Sequence, residues 1–195
     1  SRTKMDDKAF RAQVEASVRK DMIEVNEKTL QEFLSHVHYH QGQYDNAKDY
    51  AALAGKLSGI EKGWKDHVRL AYFSVPPSVF PQVSHNLCEG GVHDGKIPFR
   101  CIVEKPVGHD LESFETIHKQ LVGCFQEEEI YLLDHYLGKE AVRNIYYLRH
   151  ANPIIERLFK NTLIDSVEIT AMESAGIEGR AGYFEASGTF RDMLQ

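Results

Sequence analysis

Seven consecutive residues concentrate more chemistry than any other stretch of the chain: Asp134-His135-Tyr136-Leu137-Gly138-Lys139-Glu140. They bring a carboxylate, an imidazole, a phenol and an ammonium together where an apolar run gives way to a helical pattern. His135 and Lys139 are four residues apart, so a helix beginning at once would put both within reach of one anion. A helix start adds unpaired backbone N–H groups and the positive end of a dipole, which suits a phosphate. A plainer reading fits the same residues: Asp134 as an N-cap, His135 as a hydrogen-bonded junction residue, Lys139 as a solvated side chain. The residues alone leave both open. Glu104-Lys105-Pro106 is the second such place. A lysine at the carboxyl end of a buried strand, held by the following proline, faces the crevice where α/β sheets take their ligands. There it could donate to a substrate hydroxyl and to a dinucleotide; as a strand-end lysine it could equally be solvated.

Both stretches need strands to position them. Ile130-Tyr131-Leu132-Leu133 reads as a short buried strand leading into the first. Ala141, Ile145 and Leu148, with Val142 and Tyr146 alongside, give the helical stripe leading out. Phe99 to Pro106 reads as a strand, and so does Arg69 to Pro77, which two prolines must end because they cannot donate to a ladder. Between these strands, helical patterns run through Val83 and Leu87 and through Phe114, Ile117, Leu121 and Phe125. Strands alternating with helices imply βαβ units and a parallel sheet, an α/β fold of Rossmann type. Two amphipathic helices precede them. One spans about Asp6 to Met22 on Phe10, Val14 and Val18; the other buries Leu30, Phe33, Leu34 and Val37. Beyond the organising stretch, Ser166 to Met172 reads as a strand, a Gly-rich passage covers Gly176 to Gly188, and a helix starts at Thr189. A domain boundary is expected near Asp134–His135, between an incomplete sheet domain (1–134) and the start of an α+β domain (135–195).

Composition bounds the rest. The 195 residues are 42% hydrophobic and 27% charged, as in an ordinary globular protein. A net charge of −6 gives no basic footprint for nucleic acid. No apolar run reaches the roughly 18 residues of a membrane span, so neither nucleic acid nor membrane is an expected partner. Cys88, Cys101 and Cys124 are an odd count without C-x-x-C spacing, which favours reduced, buried thiols. The His36-Val37-His38-Tyr39-His40 run invites a metal reading, but no further ligand of fixed spacing follows, and no metal is expected. The chain does not begin with Met and stops within an apparent helix, so it reads as a piece of something longer.

The Asp134–Glu140 stretch resembles the active-site signature of the glucose-6-phosphate dehydrogenases. Arg2-Thr3-Lys4, Gly42-Gln43-Tyr44-Asp45, Val75-Pro76-Pro77-Ser78-Val79, Glu104-Lys105-Pro106-Val107-Gly108 and Glu178-Gly179-Arg180-Ala181-Gly182-Tyr183-Phe184 are similar to further motifs of that family, in its order. The Glu-Lys-Pro tripeptide also occurs in another family of NAD(P)-dependent sugar oxidoreductases; the Asp134–Glu140 signature separates the two. The resemblance implies oxidation of glucose 6-phosphate at C1 to the lactone, with hydride transfer to NADP, in the oxidative branch of the pentose phosphate pathway. The other classes it leaves are a catalytically inactive sugar-phosphate-binding module and the Glu-Lys-Pro oxidoreductases. Arg2 then meets the 2′-phosphate of NADP, and Lys105 is shared between coenzyme and sugar. His135, Tyr136 and Lys139 grip the 6-phosphate, while Glu173 and Asp192 accept from sugar hydroxyls. Asp134 orients a catalytic histidine expected two residues past Gln195, and the Gly-rich dinucleotide loop is expected upstream of Ser1. On that basis the 195-residue piece alone is expected to be inactive. Phe80 stands where the family often has Tyr near the coenzyme. The resemblance further implies a cytoplasmic homodimer or homotetramer.

Overall fold

A computed structural model of the chain describes residues 1–170 apart from 106 and 109, and beyond them 172, 176, 181, 185 and 188. Helices α1 (Asp7–Asp21), α2 (Glu27–Ser35) and α3 (Ala47–Ile60) lead into β1 (Arg69–Phe73), α4 (Phe80–Glu89), β2 (Phe99–Glu104), α5 (Leu111–Leu121) and β3 (Ile130–Leu133). A single-turn α6 (His135–Gly138), α7 (Glu140–Ala151) and α8 (Pro153–Leu158) follow. The three strands are parallel and lie in sequential order, β1-β2-β3. The connecting helices α4 and α5 pack against each other and against one face of the sheet, as crossovers of one hand stepping in one direction require. The α/β parallel-sheet architecture expected from the alternating pattern is the one found.

The core forms between that face and those helices. Phe73, Phe99, Cys101 and Val103 point inward from the strands and meet Phe80, Val83 and Leu87 of α4, Leu121 at the end of α5 and Phe125 in the turn beyond it. Phe99 and Phe125 stack at 5.4 Å between centroids. Phe80 and Phe125 are fully buried, so truncating either to Ala would cost about 3–5 kcal/mol. Phe80, at a position the family resemblance associates with the coenzyme, is thus a core residue, and a Tyr hydroxyl there would need a buried partner. The opposite face is open: Leu70, Tyr72 and Tyr131 are about half exposed, although parallel sheets are ordinarily covered on both sides.

Local signals explain the element ends. Asp6, Asn26 and Asn46 accept backbone N–H bonds at the starts of α1, α2 and α3. At α5, Asp110 accepts from the Ser113 N–H while the Ser113 hydroxyl accepts from the Asp110 N–H, a capping box. Gly108 precedes it with φ +86°, and a Cβ there would lie 2.7 Å from the Phe114 nitrogen, so only glycine lets the loop approach the helix this closely. Arg69 opens β1 with its guanidinium buried in a two-pronged pair with Glu61, at 2.6 and 2.8 Å, and donating to the Val92 carbonyl. Each partner holds the other in its charged form.

Several expectations are corrected. Cys88 and Cys124 are disulfide-bonded rather than reduced, because the ends of α4 and α5 bring their Cα atoms to 5.9 Å; only Cys101 is a free, buried thiol. Burial pushes that thiol up to about 12. Residues 166–170 form no strand, and Val167 and Ile169 are exposed, since no neighbouring strand among the described residues offers a ladder. Phe33 points outward at 51% exposure, while Leu30 and Leu34 carry the buried stripe of α2. The stripe of α7 is also uncovered: Ile145, Tyr146 and Leu148 are exposed and only Val142 is half-buried. The histidine run follows the end of α2, with His36 as its C-cap. His38 faces the Asp7 carboxylate at 3.4 Å and His40 Nε2 donates to the Asp49 carbonyl. The Gly176–Gly188 passage and the helix at Thr189 fall largely or wholly outside the described residues.

Candidate functional site

The parallel register sets Glu104 of β2 opposite Leu133 of β3. The next residue of each strand, Lys105 and Asp134, therefore leaves the carboxyl edge of the sheet beside the other. Lys105 Nζ lies 2.8 Å from Asp134 Oδ2. The other carboxylate oxygen, Oδ1, accepts the Tyr136 N–H at 2.9 Å and caps α6. The Lys105 ammonium, and after it the Tyr136 N–H, hold the Asp134 carboxyl below the usual carboxylate range. Asp134 is therefore ionised at neutral pH. It is both the N-cap of the plain reading and the partner of the lysine.

His135 and Lys139 do not sit on one continuous helix. The single turn of α6 stops at Gly138, and Lys139 adopts an extended backbone (φ −68°, ψ 130°) before α7 begins. This corrects the expectation of a helix starting at once: glycine is the weakest ordinary helix former, and it falls where the break occurs. His135 Nε2 turns toward Glu104 Oε1 at 3.5 Å. Glu104 also accepts from the Tyr72 hydroxyl, and that hydrogen bond raises the pKa of the phenol. Lys139 Nζ lies over the Tyr136 ring, 4.5 Å from its centroid. His135, Lys139 and Lys105 are exposed at the carboxyl edge, where a ligand can reach them, and Tyr136 is exposed beside them.

Arg2 belongs to a separate corner of the same edge. Its guanidinium lies 5.2 Å from the Tyr44 ring centroid. Ser1 is tied to the loop on both sides, its amino group donating to the His40 carbonyl and its carbonyl accepting from the Gly42 N–H. A cavity of about 360 Å³ opens beside them, lined by Ser1, Gly42, Tyr44, Tyr72, Phe73 and Val75 among others. A guanidinium stacked on an aromatic face beside a cleft at a strand's carboxyl end suits the adenosine phosphate portion of a dinucleotide.

Glu173 and Asp192 lie outside the described residues, as does Pro106. Of the remaining expected residues, Lys105, Asp134, His135, Tyr136 and Lys139 gather at the β2 and β3 ends, and Arg2 lies near the β1 end. Sequence reasoning missed Glu104 as the group His135 faces, and Tyr72 as the second partner of that carboxylate. The available signal was period-2 alternation: Glu104 points to the face opposite Val103, the open face that Tyr72 also occupies.

Residues 1–144 match the family model described as glucose-6-phosphate dehydrogenase, NAD binding domain, and residues 146–195 match glucose-6-phosphate dehydrogenase, C-terminal domain. The chain is 38% identical to a glucose-6-phosphate 1-dehydrogenase of Schizosaccharomyces pombe and 39% identical to one of Aspergillus niger, in both cases along its whole length. It spans 39% and 38% of the length of those two relatives. A solved structure described as glucose-6-phosphate dehydrogenase in complex with its substrate glucose-6-phosphate superposes with a TM-score of 0.87 at 36% identity, over 99% of this chain and 40% of that one. A second, from Mycobacterium avium, superposes with a TM-score of 0.81 at 28% identity, over 98% of this chain and 41% of that one. Two family models in tandem cover nearly every residue from one end to the other, and the chain belongs to the glucose-6-phosphate dehydrogenase family.

Proposed function

We propose that the protein to which this chain belongs oxidises glucose 6-phosphate at C1 to the lactone, with NADP as hydride acceptor. The observation that carries the reading is the Lys105–Asp134 pair at adjoining strand ends, flanked by His135 and Lys139 and carried on a chain of this family. The Arg2–Tyr44 stack beside its cavity suits a coenzyme with a 2′-phosphate, since a guanidinium is a forked partner for that group. When bound, the coenzyme supplies the oxidising power by accepting the hydride.

The chain's own residues bind and orient. Lys139, His135 and the Tyr136 hydroxyl take the 6-phosphate, and the exposed ammonium of Lys139 can leave the Tyr136 ring to do so. Lys105 donates to a sugar hydroxyl near the reacting carbon, held there by Asp134. Asp134 is also placed to orient a histidine acting as general base, whose imidazole would otherwise rotate freely. Glu173 and Asp192 are proposed to accept from the sugar hydroxyls. We assign residues 1–134 to the coenzyme-binding unit, because the parallel sheet ends at Leu133, and 135–195 to the start of the substrate unit. We further propose a cytoplasmic homodimer or homotetramer acting in the oxidative branch of the pentose phosphate pathway. Among the described residues no helix is long and apolar enough to cross a membrane.

The test is NADPH formation by the full-length protein with glucose 6-phosphate, glucose and fructose 6-phosphate. Turnover with glucose 6-phosphate far above the other two is expected. Binding of glucose 6-phosphate without turnover would instead leave an inactive sugar-phosphate module, and a preference for the unphosphorylated sugar would remove the phosphate grip altogether.

A further inference from the structure

We propose that Cys88, His93 and Cys124 form a binding site for one soft divalent cation of the zinc type, at the edge of the sheet opposite the Lys105–Asp134 pair. Their donor atoms lie within 4.8 Å of one another. Helix α4 ends at Glu89, and the chain reverses through Gly91 at φ +73°, with the Val92 and His93 N–H groups both donating to the Leu87 carbonyl. That reversal brings His93, five residues on, back beside Cys88. After α5, the Cys124 and Phe125 N–H groups both donate to the Leu121 carbonyl, a tight turn that delivers Cys124 to the same point.

The imidazole is oriented for ligation. Its ring is held edge-on by Phe99 at 5.0 Å and Phe125 at 5.5 Å. Nε2 lies 3.2 and 3.3 Å from the two oxygens of the Glu129 carboxylate. Glu129 is fixed in turn by accepting the Gln126 N–H. Nδ1 is therefore the nitrogen left to face Cys88 Sγ, at 3.6 Å. Bonds of about 2.3 Å to sulfur and 2.0 Å to nitrogen at a tetrahedral angle separate those two donors by about 3.5 Å. A carboxylate on the far nitrogen of a ligating histidine is the usual outer support of a zinc site. A Cys88–Cys124 disulfide makes no use of either the imidazole or Glu129; a cation uses all four groups. Two thiolates balance the charge of a divalent cation in the half-buried site, and the Glu129 carboxylate stays on the imidazole N–H as its outer support. The fourth position is open to water.

The sulfurs are bonded to each other in this structure, so the site loads only after reduction. A water-soluble phosphine takes up the oxygen of one water, and its two electrons and the two protons convert the disulfide to two thiols. Binding then releases those two protons to solvent. Cys101, a buried thiol in the core, takes no part.

The experiment uses the full-length protein, reduced with phosphine, freed of metal by a chelator and titrated with Co²⁺. One equivalent is expected to produce intense thiolate-to-cobalt charge-transfer absorption that zinc displaces. Cys88→Ser and Cys124→Ser should abolish it, Cys101→Ser should leave it intact, and Glu129→Gln should weaken cation affinity about 10–100-fold. Absence of the band from the reduced wild-type protein would overturn the proposal, whatever the variants do. So would a band unchanged in His93→Ala, or a Cys88–Cys124 bond that survives the phosphine.

Discussion

Lys139→Ala in the full-length protein separates phosphate binding from everything else the site does. In the structure the Lys139 ammonium is exposed and rests on the Tyr136 ring at 4.5 Å. A hydrogen bond from an ammonium to a phosphate oxygen stabilises a complex by about 1.5–3 kcal/mol. An exposed cation–π contact, worth about 0.5–1 kcal/mol, is given up to make it. The difference is about 1–2 kcal/mol, which corresponds to a roughly 5–30-fold loss in kcat/KM for glucose 6-phosphate. Free glucose carries no phosphate, so its kcat/KM should stay within about twofold. The assay is initial-rate NADPH formation with both sugars, with Lys139→Arg retaining most of the lost affinity and Tyr136→Leu sparing kcat. Equal losses with both sugars would refute the assignment of Lys139 to the phosphate and point to a distortion of the α6–α7 junction.

Other perturbations test other joints. Lys105→Met removes the first cause of the low Asp134 pKa, so that carboxyl should return toward its ordinary range and the acid limb of kcat/KM should move to higher pH. The sign follows because a carboxylate held low keeps its charge until the pH falls through its folded pKa; an unmoved acid limb would break the link between the pair and the rate. Arg2→Ala should raise KM for NADP by about tenfold or more and leave KM for NAD unchanged, and a parallel rise in both would remove Arg2 from the 2′-phosphate. Arg69→Met strands the buried Glu61 carboxylate, at a cost of about 3 kcal/mol, seen as a lower denaturant midpoint; Glu61→Gln together with Arg69→Met should recover part of it. Asp7, held at about 2 by the Tyr39 N–H and by Lys56, should keep the Tyr39 amide protected from hydrogen exchange through the mildly acidic range and lose that protection only on deeper acidification. In Asp7→Asn the amide should exchange faster at neutral pH as well.

What could be read from the sequence was what local pattern determines. Alternation and apolar runs gave the three strands found among the described residues, each bounded by turn residues; the expected burial holds for β2 but not for β3, an edge strand whose Tyr131 and Leu132 are exposed. Lys105 and Asp134 were legible as strand-end residues for the same reason, but their contact was not. It depends on β2 and β3 being neighbours in parallel register, which is settled by topology. The α3 helix escaped the reading although Asn46 caps it and Tyr50, Leu53 and Leu57 face the core; its mixed Ala and Gly surface blurs the stripe. The Cys88–Cys124 bond was illegible because the two residues lie 36 apart and meet only when α4 and α5 pack side by side. The strand read over Ser166–Met172 failed for the complementary reason: a period-2 pattern states which face could be buried, not that a partner stands ready to bury it.

The sequential strand order accounts for the separation between the two groups of reactive side chains. Because both crossovers run the same way, α4 and α5 return on one side and their ends converge at the amino edge of the sheet. That convergence assembles Cys88, His93 and Cys124 and stacks Phe99 against Phe125 beneath them. At the carboxyl edge the strands release Lys105 and Asp134, with Lys105 exposed and Asp134 capping the single turn of α6. A tie at the amino edge fixes how far α4 and α5 splay, and it can do so without touching any group at the carboxyl edge. Opening that tie should therefore lower the temperature at which the sheet melts while the KM for sugar phosphate stays where it was. A KM that moved with the state of Cys88 and Cys124 would show that the two edges are coupled through the strands, β2, which links Phe99 to Lys105, or β3, which links Glu129 to Asp134.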